Sequence, residues 1–145
     1  MIYKLFSTIF YIGFIKRGQS SIASLIGFLL FSIPIPLLIR VLIFIFVNIV
    51  AFFSVFQYTK ANNLHDPKEA VADEFCAGAL IALVFYDSIA FGFISLFLFR
   101  IFDLLKFWPI SYFDKMRHWT GIFWDDYVGA ILSVLIVFPI KVIWL

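Results

Sequence analysis

The apolar stretch from Ile22 to Val55 is the feature that most constrains the fold of this chain. It is too long for one simple membrane crossing, which takes about 20 residues. Pro34 and Pro36 interrupt it, and proline ends a helix because it lacks a backbone donor and clashes with the preceding turn. The stretch therefore predicts a short helix before the two prolines and a longer one from Leu37 to about Gln57.

The composition indicates a membrane environment for the whole chain. Apolar residues make up 64% of the 145 residues and charged residues only 14%, whereas soluble domains carry about 25% charged residues. A soluble domain of this length could not hide so much apolar surface, so lipid must cover part of it. We expect a single domain, residues 1–145, that is an all-α integral-membrane fold with about three to five membrane-embedded helices.

Three further helices are predicted from the apolar periodicity and its flanking residues. The segment Asp66-Pro67-Lys68-Glu69 is a typical helix start, with a capping aspartate and a glutamate three positions on, and predicts a helix to about residue 85. Others are expected at about 89–106 and 126–144. The apolar run 5–15 ends at Lys16-Arg17, which is the wrong flank for a cleaved export signal, so we expect a retained helix.

All nine acidic residues fall between Asp66 and Asp126. The pairs Asp73-Glu74 and Asp125-Asp126 share a pattern, since two bulky and then two small residues follow each pair. Small residues let membrane helices approach closely, which would bring the two pairs together. A carboxylate inside a bilayer costs roughly 2.5–3.5 kcal/mol, so such a cluster favours a bound cation, and oxygen ligands suit Mg²⁺. Alternatively, these acids are solvated or paired with lysine in the headgroup zone.

Arg100, Asp103 and Lys106 recur every three residues and are predicted to share one helix face. Arginine binds phosphate through two parallel donors, and lysine acts as a point charge. The alternative is an ion-pair ladder at a helix end. His65 and Asp66 are candidates for proton transfer, or simply a loop histidine beside a capping aspartate.

Several classes of function are disfavoured. A net charge of +2 without a basic stripe does not indicate a nucleic-acid partner. The sequence contains no glycine-rich phosphate loop, so no nucleotide partner is expected, and no Gly-x-Ser-x-Gly elbow. The single cysteine excludes an intrachain disulfide. Nothing in the sequence indicates the oligomeric state.

The polar gaps at 16–20, 58–69 and 106–125 hold most of the lysine and arginine. If residues 22–57 and 70–105 each form a hairpin, these gaps share one side of the membrane, and the positive-inside rule places that side in the cytoplasm.

In order and spacing, these motifs resemble the phosphatidylglycerophosphatase A family. The matching segments are His65-Asp66, Val71-Ala72-Asp73-Glu74-Phe75, Phe99-Arg100-Ile101-Phe102-Asp103, Lys106, Pro109-Ile110, Phe113-Asp114, Gly121-Ile122 and Asp125-Asp126. The resemblance implies a multi-pass inner-membrane enzyme with its active site facing the cytoplasm. It also implies Mg²⁺-dependent conversion of a membrane phospholipid, phosphatidylglycerophosphate, to phosphatidylglycerol and phosphate.

The resemblance also implies roles for individual residues. Asp73, Glu74, Asp103 and Asp126 would be catalytic. We expect Asp73, Asp125 and Asp126 to hold the metal, with Asp103 or Glu74 completing its shell. Arg100 and Lys106 would meet the substrate phosphate. The family's glycine-containing Pro-Gly-Thr-x-Gly-Ser-Leu segment is replaced here by residues 19–25, in which Ser21 and Ser24 keep hydroxyl groups for the phosphate.

Three alternatives remain at this point. One is a small membrane transporter or proton relay that uses the acids. Another is a phosphatidyl-transferring synthase, although its Asp-Gly-x-x-Ala-Arg pattern is absent. The third is a divergent relative without activity, because the chain lacks both glycines of the N-terminal segment.

Overall fold

The computed structural model describes residues 2–63, 67–116 and 120–144, and within these ranges every regular element is helical. The helices are α1 (Ile2–Ser7), α2 (Gln19–Phe31), α3 (Leu37–Asn62), α4 (Ala72–Val84), α5 (Ile89–Leu105), α6 (Ile110–Asp114) and α7 (Gly121–Trp144), with a 3₁₀ turn at Ile12–Phe14. The predicted all-α class is confirmed. The predicted break at the two prolines is also present, since α2 ends at Phe31 and α3 begins at Leu37.

Helix α4 forms the centre of the molecule and contacts α2, α3, α5 and α7. It is rich in small residues, and Ala72, Cys76, Ala77, Ala79 and Ala82 have no exposed surface. A helix that is apolar on all sides is suited to burial. Asp73 lies in its first turn and is buried with it.

Helices α3 and α7 are long and apolar enough to cross a membrane. Large apolar side chains on α3, such as Leu38 at 71% and Phe46 at 66%, are exposed, as is Ile143 on α7 at 82%. An apolar surface of this extent requires a lipid covering. The chain is therefore a helical membrane protein, as the composition predicts.

Close backbone contact joins α2 to α4. A methyl group at Gly27 would overlap the carbonyl oxygen of Phe75, and one at Gly78 would overlap the carbonyl oxygen of Ser24. We expected the small residues after each acidic pair to join the two acid-bearing helices. In fact Gly78 serves the α2–α4 contact, and Gly129 of α7 faces the ring of Phe99 on α5.

Several predicted helix boundaries were wrong. Helix α7 begins at Gly121 rather than at about 126, and α3 continues to Asn62 rather than ending near Gln57. The fourth helix begins at Ala72 rather than at 66–67, because the amide of Val71 is bound to the carbonyl oxygen of Ser7 at 2.9 Å. The predicted N-terminal helix stops at Ser7. Just after it, Thr8 Oγ1 donates to the carbonyl oxygen of Lys4 at 2.7 Å, and the next three residues adopt positive φ angles.

The two ends of the helix bundle differ in chemistry. At one end α5 finishes and α4 and α7 begin, close to residues 19–20 and 67–70. The other end contains Arg40, whose guanidinium lies over the ring of Tyr86 at 5.6 Å, and an ion pair between Lys141 and Asp87 at 2.5 Å. The polar gaps predicted to share one side thus meet at the first end.

Candidate active site

A cavity of about 400 Å³ lies where α4 and α7 begin and α5 ends, and we call it the acidic pocket. Its charged lining consists of Asp73, Glu74, Asp103, Asp114, Asp125, Asp126, Lys68, Arg100 and Lys106. Six carboxylates against three cationic groups leave an excess of negative charge. Asp73 and Glu74 lie in the first turn of α4, where the partial positive charge of the helix favours carboxylates. Asp125 and Asp126 lie beyond the first turn of α7, because that helix begins at Gly121.

Three of the carboxylates converge. Asp73, Glu74 and Asp126 each offer one oxygen, and these oxygens lie within 4.8 Å of one another. Asp73 and Asp126 are only 3% and 5% exposed. Asp73 Oδ1 and Glu74 Oε2 are buried without a hydrogen-bond partner. Buried carboxylate oxygens that lack partners are costly, so this carboxylate triad is arranged for a ligand.

The fourth acid of the two pairs, Asp125, has a different partner. Its Oδ2 lies 3.4 Å from Nζ of Lys106, which also pairs with Asp114. Burial opposes the charge on Lys106, but its hydrogen bond to Asp114 and the nearby Asp125 carboxylate raise its pKa above the usual value. Lys106 is therefore a permanent cation in the wall of the pocket.

Arg100 and Asp103 form an ion pair on α5, with Nη1 and Oδ2 2.9 Å apart. Lys106 does not continue this row, contrary to the predicted shared face. Helix α5 ends at Leu105, and Lys106 adopts a left-handed conformation with φ of 42°. Its side chain reaches α6 and α7 instead. Nε of Arg100 is buried and makes no hydrogen bond, so it can still donate to a ligand.

The residues of the carboxylate triad fit a hard divalent cation. Mg²⁺ prefers oxygen ligands, binds through one or two carboxylates, and keeps positions for water and phosphate. Asp73 and Asp126 of the expected ligands belong to this group, and Glu74, one of the two acids expected to complete the shell, is its third member. Asp125 differs from the expectation, because it faces Lys106 instead.

The two serines predicted to bind phosphate do not line the pocket. Ser21 is exposed, and buried Ser24 donates to the carbonyl oxygen of Ser21 at 3.1 Å. Gln19 and Ser20, at the start of the same helix, line the pocket instead. Ser24 is buried where the backbone of α2 contacts α4 at Gly78.

Two predicted site residues are not described by the structure, and two residues that line the pocket were not predicted. His65 and Asp66, the candidates for proton transfer, fall outside the described residues. Asp114, which holds Lys106, was not predicted as a site residue, although the Phe113-Asp114 motif of the resemblance pointed to it. Lys68 was also missed.

The sequence of this chain is similar to those of one known protein family. The sequence model described as Phosphatidylglycerophosphatase A matches residues 5–141. A protein named Phosphatidylglycerophosphatase A from Haemophilus influenzae is 42% identical over 89 residues, which cover 59% of this chain and 54% of the relative. One of the same name from Escherichia coli K12 is 38% identical over 93 residues, covering 61% and 52% respectively.

The chain therefore spans about half the length of these two curated relatives. No solved structure matches it significantly. Because the family match extends over nearly the whole sequence and includes every residue of the carboxylate triad, this chain belongs to the phosphatidylglycerophosphatase A family.

Proposed function

We propose that this protein is a Mg²⁺-dependent lipid phosphatase that hydrolyses phosphatidylglycerophosphate to phosphatidylglycerol and phosphate. The observation that carries the proposal is the carboxylate triad of Asp73, Glu74 and Asp126, which converges beside Arg100 and Lys106. The names of the relatives supply the substrate.

The roles of the side chains follow from their surroundings. Asp73, Glu74 and Asp126 would hold the metal, which when bound supplies positive charge to neutralise phosphoryl oxygens. Arg100 can direct its free Nε to the phosphate while Asp103 fixes the guanidinium. Donors that are already oriented towards developing charge stabilise a transition state without reorganisation.

Lys106 would contribute a second fixed cation. Its pairing with Asp114 and Asp125 orients the ammonium group in the pocket wall. Arg100 and Lys106 line the same pocket as the carboxylate triad, so a phosphate monoester bound there would meet these two cations as well as the charge of the metal.

We also propose that the protein is a multi-pass protein of the inner membrane, with the acidic pocket facing the cytoplasm. Lys16, Arg17, Lys60, Lys68 and Lys115 are exposed in or beside the connections that lead to this end of the bundle. Cationic connections are typical of the cytoplasmic side.

The decisive experiment is a phosphate-release assay with purified protein and phosphatidylglycerophosphate in mixed micelles. Phosphate release should require Mg²⁺, cease with EDTA, and fall by roughly 10²-fold or more in Asp73→Asn, since it removes charge from the metal-binding group. The matched control is Asp87→Asn, an identical exchange at the opposite end of the bundle, which should retain activity. Undiminished turnover in Asp73→Asn, or in EDTA, would refute the proposal.

A further inference from the structure

A second cavity, of about 580 Å³, opens between α3 and α7 on the apolar surface of the bundle. Helices α3 and α7 both pack on α4, and the space between them is not closed. We call this cavity the aromatic groove. Its walls include Ile49, Phe52 and Phe53 of α3 and Phe123, Trp124 and Tyr127 of α7.

Two polar side chains of the groove, Asn48 and Tyr127, are hydrogen-bonded. Tyr127 donates its hydroxyl proton to Oδ1 of Asn48, and the Asn48 amide donates to the carbonyl oxygen of Phe44 at 2.8 Å. The rings of Phe52 and Phe123 pack 5.5 Å apart across the two helices. A wall of this kind suits a hydrocarbon occupant.

The groove and the acidic pocket share the first turns of α7. Gly121 and Asp125 line the pocket, whereas Thr120 and Trp124 line the groove. Residues four apart lie on the same helix face, so two adjacent faces of one helix turn towards the two cavities. A molecule that reaches from one cavity to the other around α7 therefore needs a phosphate head and an apolar tail.

We propose that the aromatic groove holds one acyl chain of a phospholipid whose phosphate lies in the acidic pocket. The inference rests on the proposed function, which puts a lipid phosphate in that pocket, and adds the site for its tail. The exposed apolar face around Leu38 lies at the end of the bundle that contains Arg40, and Leu38 lines neither the acidic pocket nor the groove.

The groove would act mainly by aligning the substrate, and the hydrophobic effect would contribute little to binding of the acyl chain. An acyl chain that moves from the bilayer into the groove exchanges one apolar surrounding for another, so packing is the main term. Alignment matters because small displacements of the reacting group cost large factors in rate. Blocking the groove should therefore affect turnover of long-chain lipid and spare a substrate without a long tail.

The first experiment compares Ile49→Trp with Ile45→Trp. Both isoleucines lie on α3 and are about half exposed, at 51% and 50%, but only Ile49 lines the groove. Helical side chains lean towards the N-terminus, so a tryptophan at 45 points away from the groove. Long-chain phosphatidylglycerophosphate and its dihexanoyl form are assayed with each variant.

Ile49→Trp should lower kcat/KM for the long-chain lipid roughly tenfold, equivalent to about 1.4 kcal/mol, and leave the dihexanoyl lipid unchanged. Ile45→Trp should match the unsubstituted protein on both. Equal losses on both lipids, or no loss on either, would overturn the groove assignment. Phosphate release from neither lipid by the unsubstituted protein would refute the proposed function instead.

A second experiment does not depend on turnover. Phosphatidylglycerophosphate with a diazirine at the end of one acyl chain is photolysed with the protein, and labelled peptides are mapped by mass spectrometry. Label should concentrate on the groove residues over Leu38 and Leu42 of the same helix, and should fall in Ile49→Trp but not in Ile45→Trp. Uniform labelling of α3 would exclude the groove as the tail site, whether or not phosphate is released.

Discussion

Asp125 and Asp126 are neighbours in sequence with different surroundings. Asp126 is buried beside Asp73 and the half-buried Glu74, whereas Asp125 lies 3.4 Å from Lys106. Adjacent residues on a helix point about 100° apart, because each turn takes 3.6 residues. One acidic pair thus supplies a member of the carboxylate triad and a partner for a cation.

Because their surroundings differ, we expect substitutions of Asp125 and Asp126 to affect activity differently. Asp126→Asn should lower kcat by roughly 10²-fold or more, because the carboxylate triad loses a charged oxygen that would hold the proposed metal. Asp125→Asn should cost less and act mainly on KM, because Lys106 keeps its partner Asp114. Steady-state kinetics with a Mg²⁺ titration distinguish the two, and a shift of the Mg²⁺ requirement should accompany only Asp126→Asn. Identical losses would contradict the separation of roles.

The residue types of the site could be predicted from the sequence, but their partners could not. Acids beside apolar helices indicated a cation site, and five of the six carboxylates of the pocket were named in advance. The prediction that Arg100, Asp103 and Lys106 share one helix face was wrong for Lys106. Helix α5 ends before it, and its left-handed conformation directs its side chain elsewhere. The prediction that Ser24 binds phosphate was wrong, because Ser24 is buried where α2 contacts α4 at Gly78 and does not line the pocket.

At the scale of elements, the contact between α2 and α4 positions Asp73 and Glu74. Gly78 is one turn beyond Glu74 on α4, and its α-carbon lies against the backbone of Ser24. Backbone atoms cannot move aside as a flexible side chain can, so this contact accepts no extra atom without separating the helices.

Gly78→Ala should therefore destabilise the protein by roughly 1–3 kcal/mol, the usual range for overpacking. Gly129→Ala is the matched control, because its new methyl group would lie 3.3 Å from the ring of Phe99, which is a side chain and can shift. Thermal unfolding in detergent measures both. A larger loss for Gly129→Ala would show that the α2–α4 backbone contact is not the tighter one.

The ion pair between Asp87 and Lys141 joins the α4–α5 turn to the end of α7. Lys141 is buried and Asp87 is exposed. The hydrogen bond from Lys141 lowers the pKa of Asp87 below its usual value, against a smaller opposing effect of burial. Because the folded-state pKa is lowered, the pair stabilises the fold above the ordinary aspartate pKa of about 3.9. This stabilisation is lost as the pH falls through the lower folded-state value.

Asp87→Asn should accordingly lower the melting temperature by a few degrees at pH 7, and the difference from the unsubstituted protein should shrink below about pH 4. Lys141→Met should cost less, because it leaves an exposed carboxylate in water, whereas Asp87→Asn leaves a buried cation without its partner. Melting curves between pH 3 and pH 8 provide the test. A difference that stays constant down to pH 3 would rule out the titration of Asp87 as its source.

Element boundaries were predictable where local chemistry decides them. The prolines at 34 and 36 mark the break between α2 and α3 correctly. The start of α4 was missed because a tertiary hydrogen bond from Val71 to Ser7 sets it. Local capping rules contain no information about a partner so far away in sequence.

At the scale of the whole molecule, charge divides the bundle into two ends. Of the eight acids that the structure describes, six line the acidic pocket, and Glu69 lies between Lys68 and Ala70, which also line it. The eighth, Asp87, lies at the other end in an ion pair. A relay for protons or ions would need titratable groups at successive depths in the membrane. A cluster in one layer beside cationic loops is the arrangement expected for chemistry on a lipid headgroup.

The same division makes the orientation testable with single thiols. Cys76 is the only cysteine in the sequence and is fully buried, so the background labelling of intact vesicles should be low. Lys115→Cys places a thiol in an exposed position beside the acidic pocket, and Ser88→Cys places one in the turn at the opposite end. If the cationic loops face the cytoplasm, a membrane-impermeant maleimide should label Ser88→Cys in right-side-out vesicles and Lys115→Cys in inverted ones. The reverse pattern would place the pocket on the outer face, and labelling of both from one side would mean that the two ends do not lie across the bilayer.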